Sequence, residues 1–519
     1  DGQGDPVGST MTLSLYLFLT AFKDLRMGEA SAVAWLLFLV TAATTALLFR
    51  GSRRWVHHQG VRTGSLVAVA IFAASGCGAP ATTSTASNDE PVAAQREMVR
   101  FWHFWGGRDR PIVERIVAQF NRSQSAYHVR AVAMPGSNLD LKFFLAIAGG
   151  SPPDLLNHDD PVVADWAFRG MLTPLRDLTS RDEYQRLEQW LLPAARKLGT
   201  ARGELFALTN GLDIRALYCN ESWLEEVGLK PPTTLDELDR IATTLAPPGA
   251  NEPYRRMGYL PDPRRLWAWG AVFGGAFGDA TSDDPQHMIA CDDPRVVAAL
   301  EWMASYRRRY GAAQVAAFRS GEQALAGAAF PLLADRRYAV VMDGQWRVRD
   351  IAAASEADRR AGRPSDKFCA VPLPGPDGKA SDAGWVNGNF FVVPRGAATP
   401  QGAWEFMKFW VGFEADANSA AEACAAGGWI PPSQQIIDHP AYQAELARQP
   451  LLKVFVDLAA SPRQLPVPAI PSAAYYYREV NDAAARTLYT DDGDDPHREL
   501  ETAATRARRR VRETLGVGE

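Results

Sequence analysis

The sequence predicts an α/β fold with mostly parallel, doubly wound sheets, and three observations carry that expectation. β-prone and helical runs alternate between residues 99 and 161, and glycine or proline marks most of the boundaries. The chain has 519 residues, too many for one core, so more than one packed unit is expected. A composition of 47% hydrophobic and 22% charged residues is ordinary for a globular body. A net charge of −5 excludes a broad basic surface, so no nucleic-acid partner is expected. Asp1 rather than Met opens the chain, so an upstream segment is expected as well.

The first ninety residues read differently from the rest. Ala30 to Phe49 is uncharged throughout, and at about 1.5 Å per residue its 20 positions reach the thickness of a bilayer core. A transmembrane helix is therefore expected over 30–49, since a buried core helix of this length would show a polar face. Arg50, Arg53 and Arg54 place its C-terminal end in the cytoplasm. Ser65 to Ala74 is a shorter apolar run between a basic stretch and Ala74-Ser75-Gly76-Cys77, the layout of a secretory signal. The small residues before Cys77 resemble a bacterial lipobox, which implies lipidation of Cys77. Residues 59–95 are thus expected to hold a lipoprotein signal and, in the Pro/Ser/Thr/Ala-rich stretch after Cys77, a flexible tether.

The body begins near Gln95. Val99 to Phe104 reads as a strand. Ile112, Val113, Ile116, Val117 and Phe120 have helical spacing, with Asp109 as cap and Pro111 in the first turn. Tyr127 to Met134 is a second strand, Leu139 to Ala148 a helix stopped by Gly149 and Gly150, and Asp154 to Asn157 a third strand. Asp160-Pro161 is expected to open the next helix. Further on, Arg215 to Cys219 reads as a strand, Thr234 and Glu237 form a capping box, and Asp293-Pro294 opens a helix to about Tyr310. Val340–Val341 and Phe390–Val393 are short strands, while Pro400–Trp410 and Arg498–Leu515 are helical.

Catalytic signatures are missing from this pattern. The sequence has no G-x-S-x-G, H-E-x-x-H, Walker A or post-strand G-x-G-x-x-G motif. His158-Asp159-Asp160 are adjacent and do not converge on one ion, so neither a metal nor another cofactor is expected. The reading is a non-enzyme. Tryptophan stands out instead: of 15, all but Trp35 and Trp55 lie in the body. An indole face stacks on the C–H face of a pyranose, and Asp or Asn bonds its hydroxyls. Trp102, Trp190, Trp302, Trp404 and Trp410 sit on strands or helical faces and read as core. Trp105, Trp267, Trp269, Trp346, Trp385 and Trp429 lie beside glycines in loop-like contexts.

Two resemblances follow. Residues 1–58, with the segments STMTLSLYLFLTAF, DLRMGEASAVAWLLFLV and LLFRGSRRWVHH, resemble the C-terminal end of a sugar-type ABC-importer permease. That implies either a permease fusion or two neighbouring genes read as one frame. From Val99 to Leu515 the chain resembles the family 1 extracellular solute-binding proteins, the maltose-binding-protein-like receptors of ABC sugar importers. VRFWHFWGG, GGSPPDLLNHDD, FALTNGLDIRALYCNESWLEEVGLKPPTTLDEL, VMDGQWRV, GWVNGNFFVVPRGAATPQGAWEFMKFW, GWIPPS and AAYYYREV carry this resemblance by their order.

The second resemblance implies a two-lobed periplasmic-binding-protein fold whose crossover strands link the lobes. Lobe one would comprise 96–208 and 385–445, and lobe two 212–380 and 450–515. A carbohydrate, expected to be an oligosaccharide, would lie in the cleft and pass to permease subunits, with the receptor anchored outside the cytoplasmic membrane. The implied ligand contacts are Trp105, Asp159, Asn210, Asp213, Trp267, Trp269, Gly344, Trp346, Trp385, Asn387 and Tyr475. The aromatics would stack, Asp159, Asn210 and Asp213 would hold hydroxyls, and Gly344 would allow close approach. Trp385 and Asn387 serve either the ligand or the hinge. A phosphorylated polyol such as glycerol phosphate is the alternative ligand, since Arg215, Arg264, Arg265 and Arg347 are available to it. A carbohydrate-active enzyme is the second alternative. The four body cysteines, Cys219, Cys291, Cys369 and Cys424, allow free thiols or up to two disulfides.

Overall fold

The computed structural model describes residues 13, 16, 20, 27–52 and 96–517, apart from 135–138, 160, 250–251, 324–329, 334, 492 and 494. Two compact units divide the chain, Asp1–Arg96 and Glu97–Glu519.

In the first unit, α1 (Met27–Ser52) covers the expected helix. Thr41 and Thr44 return their hydroxyls to carbonyls one turn back, and Trp35, Phe38 and Leu39 are exposed. Among the described residues no helix is long and apolar enough to cross a membrane. Cys77 and the signal segment lie outside the described residues.

The second unit is built on two sheets. β1 (Glu97–His103) alternates inward from Val99, so Val99 and Phe101 are fully buried. The amphipathic α2 (Arg110–Ser123) lays Ile112, Val113, Ile116, Val117 and Phe120 on the core. β2 (Tyr127–Ala133) follows in parallel with β1, and after α3 (Leu139–Ala148) so does β3 (Leu155–His158). α4 (Val163–Phe168) starts at Val162 with no side-chain cap, later than Asp160-Pro161 suggested. The chain then enters β4 (Ala207–Asp213) and, after Ile214 alone, β5 (Arg215–Asn220).

β4 and β5 belong to different sheets. The five-stranded sheet has the order β2-β1-β3-β8-β4, where β8 (Asn387–Val392) runs antiparallel to both neighbours. The second sheet has β5 at its centre, antiparallel to β6 (Val340–Gly344) and β7 (Phe368–Val371). The expected parallel winding is thus right for the β1-β2-β3 half only; β8 runs antiparallel to β3 and β4, and the second sheet is antiparallel about β5. Two crossovers tie the sheets together, β4 to β5 through Ile214 and the return through Gly384–Trp385 into β8.

Local signals match the helices of both lobes. Thr234 and Glu237 make a full capping box on α5 (Leu235–Leu245), each side chain bonding the other's backbone N–H. α6 (Leu266–Val272) is buried all round. Asp293 caps α7 (Pro294–Tyr310), which ends at Gly311 with φ 85°. α8 (Arg347–Arg360) leaves β6 through Gln345-Trp346. α9 (Pro400–Val411) and α10 (Ala417–Gly427) pack on the first sheet's side, while α11 (Ala473–Tyr489) pairs with α12 (Pro496–Leu515).

Candidate ligand site at the lobe junction

The strand ends of both sheets meet where β4 passes into β5. The register of β4 against β8 slips between Asn389 and Phe390, so Asn210 is the extra residue of a β-bulge. Its side chain turns toward β3, where the Oδ1 accepts from Asn157 Nδ2 at 3.1 Å. Three residues on, Asp213 ends the strand, and its Oδ1 accepts from Gln345 Nε2 at 2.7 Å. Gln345 is almost fully buried and holds the crossover by two further bonds. Its Nε2 donates to Leu212 O at 3.0 Å, and its Oε1 accepts from Ile214 N–H at 3.1 Å.

Arg215 begins the second sheet at the centre of this junction. Its side chain is buried, and its guanidinium lies over the indoles of Trp346 at 4.9 Å and Trp385 at 4.4 Å. One terminal nitrogen donates to Asp213 O at 2.8 Å, while the Nε is buried without a partner. Burial, together with the nearby charge of Arg265, pushes the guanidinium down to about 10. Burial also raises the Asp213 carboxyl, against the pull of Arg215. Asp343 accepts from Arg265 at 3.2 Å and from Arg347 at 3.0 Å, and Asp350 accepts from Arg347 at 3.0 Å.

The indole of Trp346 rests on Gly344: a Cβ there would lie 2.0 Å from its ring. Trp346 is half-buried, whereas Trp385 is 4% exposed with its Nε1 lacking a partner. Asn387, two residues on, donates from Nδ2 to Asp159 O at 2.9 Å and leaves its Oδ1 buried and unpaired. The Asp159 side chain is half-exposed beside His158. Asp213, Gly344, Trp346, Trp385, Asn387 and the Asp159 backbone therefore come together, while Asn210 faces Asn157 within the first sheet.

The other expected residues do not join them in the same way. Trp105 is buried in lobe one, stacked on Trp410 at 5.2 Å and on Trp429 at 5.5 Å, so it is core and not an open platform. Trp269 is likewise core, fully buried and edge-on to Trp302 at 4.5 Å. Both sit in contexts that read as loops; α6 is in fact a helix with apolar residues on every side. Trp267 is buried too, with its face on Tyr477 at 5.7 Å and its Nε1 donating to Asn481. Tyr475 lies under Arg478 and Arg510 toward α12. Tyr477, two residues later, is the tyrosine near Trp385, at 6.0 Å between rings. Three consecutive tyrosines on one helix point about 100° apart, so only the packing of α11 selects among them. Among the described residues no group of three or more His, Cys, Asp or Glu could hold a metal ion.

The junction thus offers flat indoles, a buried cation, unpaired donors and an unpaired acceptor on strands from both sheets. Comparison with known proteins agrees with the architecture. A 58-residue N-terminal stretch, 11% of the chain, is 43% identical to 19% of the probable ABC transporter permease protein YesP of Bacillus subtilis. Over 196 residues, 37% of the chain, it is 26% identical to the alpha-glucosides-binding periplasmic protein AglE of Rhizobium meliloti, of which it spans 39%. The chain therefore spans well under half the length of each of these relatives. The solved structure of CpMnBP1 with mannotriose bound superposes with a TM-score of 0.64 at 21% identity, covering 79% of this chain and all of that one. This likeness establishes a two-lobed fold of the maltose-binding-protein type. The profile of the bacterial extracellular solute-binding proteins matches residues 115–450, well over half of the sequence, and the chain belongs to that family of extracytoplasmic binding proteins.

Proposed function

We propose that the protein is the substrate-binding component of an ABC importer and holds an oligosaccharide between its lobes for delivery to permease subunits. One observation carries this reading: the junction leaves buried donors and a buried acceptor unpaired beside aromatic faces. The donors are Arg215 Nε and Trp385 Nε1, and the acceptor is Asn387 Oδ1. A sugar hydroxyl both donates and accepts, so a polyhydroxylated neutral ligand satisfies the mixed set. The lobes divide as 96–208 with 385–445, and 212–380 with 450–515, and the ligand lies at their junction. AglE and CpMnBP1, whose names or bound ligands are saccharides, support the same ligand class.

A phosphorylated polyol is the second reading, and the arginines of the junction favour it. Those charges are already matched. Arg265 and Arg347 face Asp343 and Asp350, Arg264 is paired with Asp262, and Arg215 lies beside Asp213. A dianion would therefore enter a balanced site rather than a cationic one. A calorimetric and thermal-shift panel of manno- and gluco-oligosaccharides against glycerol phosphate and its diesters tests the two. Ligand at 100 times its Kd raises stability by about 2.7 kcal/mol. A shift with phosphates and none with saccharides overturns the first reading, and product release from an oligosaccharide would make the protein an enzyme.

Anchoring is a separate element of the proposal. Cys77 is the acylated mature N-terminus, and two acyl chains hold the receptor on the outer face of the cytoplasmic membrane. Mass spectrometry of the mature N-terminus tests this; an intact peptide from residues 36–54 joined to the body would defeat it.

A further inference from the structure

Two of the four body cysteines face each other. Cys219 on β5 and Cys369 on β7 are directly opposite in the antiparallel register of the second sheet. Directly opposed residues project to the same side of a sheet, so the two thiols share one face. Two residues along the ladder, Glu221 N–H donates to Lys367 O at 2.8 Å. Hydrogen-bonded pairs recur every second residue, so 219 and 369 form such a pair, with a Cα separation of roughly 5.5 Å. Disulfides span roughly 4.4–6.8 Å between Cα atoms, so the backbone need not move far to close one here. The thiols are free in the structure.

We propose that Cys219 and Cys369 form a disulfide that staples β5 to β7 in the exported protein. The inference rests on the extracytoplasmic location of the family and not on the identity of the ligand. Disulfides form and persist in that oxidising compartment. Cys291 and Cys424 do not compete: both are buried, the Cys291 thiol is committed to Leu500 O at 3.5 Å, and Cys424 lies in α10 beside the first sheet.

The chemistry is thiol–disulfide exchange with a disulfide-bearing oxidant. Cys369 is the more accessible partner, being half-buried where Cys219 is fully buried. Its thiolate attacks one sulfur of the oxidant, breaking that S–S bond and expelling a thiolate. The Cys219 thiolate then attacks the Cys369 sulfur of the mixed disulfide and expels the second. Two protein thiols lose two electrons, the oxidant becomes two thiols, and the two protons pass to its departing sulfurs. Burial keeps the Cys219 thiol well above its usual range, so the second step belongs to folding, before β5 is sealed.

The full chain, unfolded and refolded in a glutathione redox buffer, tests this by alkylation without reduction followed by peptide mapping. The expected result is one cross-linked species joining the Cys219 and Cys369 peptides two hydrogens lighter than their sum, with Cys291 and Cys424 alkylated. Reduction should lower the melting midpoint of the parent by a few degrees, because the link closes a loop of roughly 150 residues. Cys369→Ala should remove that dependence on reductant. Alkylation of Cys219 or Cys369 in most molecules, or a link from either to Cys291 or Cys424, overturns the proposal.

Discussion

Arg349 donates to the Asp109 carboxylate at 2.6 Å, and this pair joins the loop after β1 of the first sheet to the first turn of α8, which follows β6 of the second. The neighbouring residues repeat the contact with the charges exchanged, Arg108 pairing with Asp350. Arg349 also donates to Gly427 O at 3.0 Å, at the end of α10. These contacts link the two sheets' sides away from the connecting strands, as does the Ala474 N–H bond to Asp165. Ion pairs this open contribute about 0.2–1 kcal/mol each, enough to bias a closure equilibrium without locking it. Asp109→Asn should enlarge the radius of gyration measured by small-angle scattering without ligand. Salt at 1 M, where the screening length is about 3 Å, should do the same to the parent. Scattering that is unchanged by both would dismiss the latch.

Asp109 also shows where the sequence was legible and where it was not. It occupies the N-cap position of α2 as its spacing before Pro111 indicates, yet its side chain makes no cap bond. The carboxylate is taken by an arginine 240 residues away. Local periodicity placed β1, α2, β3, α5, α7 and α9 within a few residues, because those boundaries depend on near neighbours. The tryptophans behave otherwise. Trp105 and Trp346 each follow a strand and stand next to a Gly or a polar turn, so nothing local separates them. One is sealed by Trp410 and Trp429 and the other lies over Arg215, contacts that exist only after the lobes assemble. In the sequence Arg215 is one of four available cations; its place between two indoles depends on the return of Trp385 just ahead of β8.

Gln345 is expected to be the stability determinant of the crossover. Three bonds from one buried amide hold Leu212, Asp213 and Ile214. Gln345→Ala leaves a buried N–H and a carbonyl without partners, at about 1–3 kcal/mol for each stranded group. Gln345→Glu keeps the shape but turns an acceptor toward Leu212 O and the Asp213 carboxylate. That variant should be weakened at neutral pH and partly restored on acidification. Calorimetric melting at several pH values checks both, and parent-like stability of the Ala variant would refute the assignment.

Trp346 should matter more for ligand than for stability. Its indole is half-buried and contributes a cation–π contact of about 0.5–2 kcal/mol to Arg215. A fully buried core Trp→Ala costs about 3–5 kcal/mol. Trp346→Ala should therefore melt within a few degrees of the parent while losing about 1–3 kcal/mol of saccharide binding. Gly344→Ala should reproduce the binding loss, since its methyl would occupy the place of the indole ring. Normal affinity in both variants, with a large melting loss in Trp346→Ala, would return this residue to the core.

Asp165 gives the molecule a pH dependence whose direction is set by burial. It lies in α4, and its Oδ2 accepts from Ala474 N–H at 3.0 Å at the start of α11, while its Oδ1 has no partner. Burial raises the carboxyl above its ordinary 3.8, against the opposing pull of Arg169 and the α11 amides. An acid raised in the folded state binds its proton more tightly there than in the unfolded chain. Its stabilising share is complete below the ordinary value and is lost as pH rises through the folded one. Asp165→Asn keeps an oxygen for Ala474 N–H and carries no charge, so it should not lose stability over that window. The melting temperature of the variant relative to the parent should therefore climb from about pH 4 toward neutrality. A difference that stays flat across this range would mean that Asp165 is ionised in the folded protein throughout, with Arg169 and the helix amides outweighing burial.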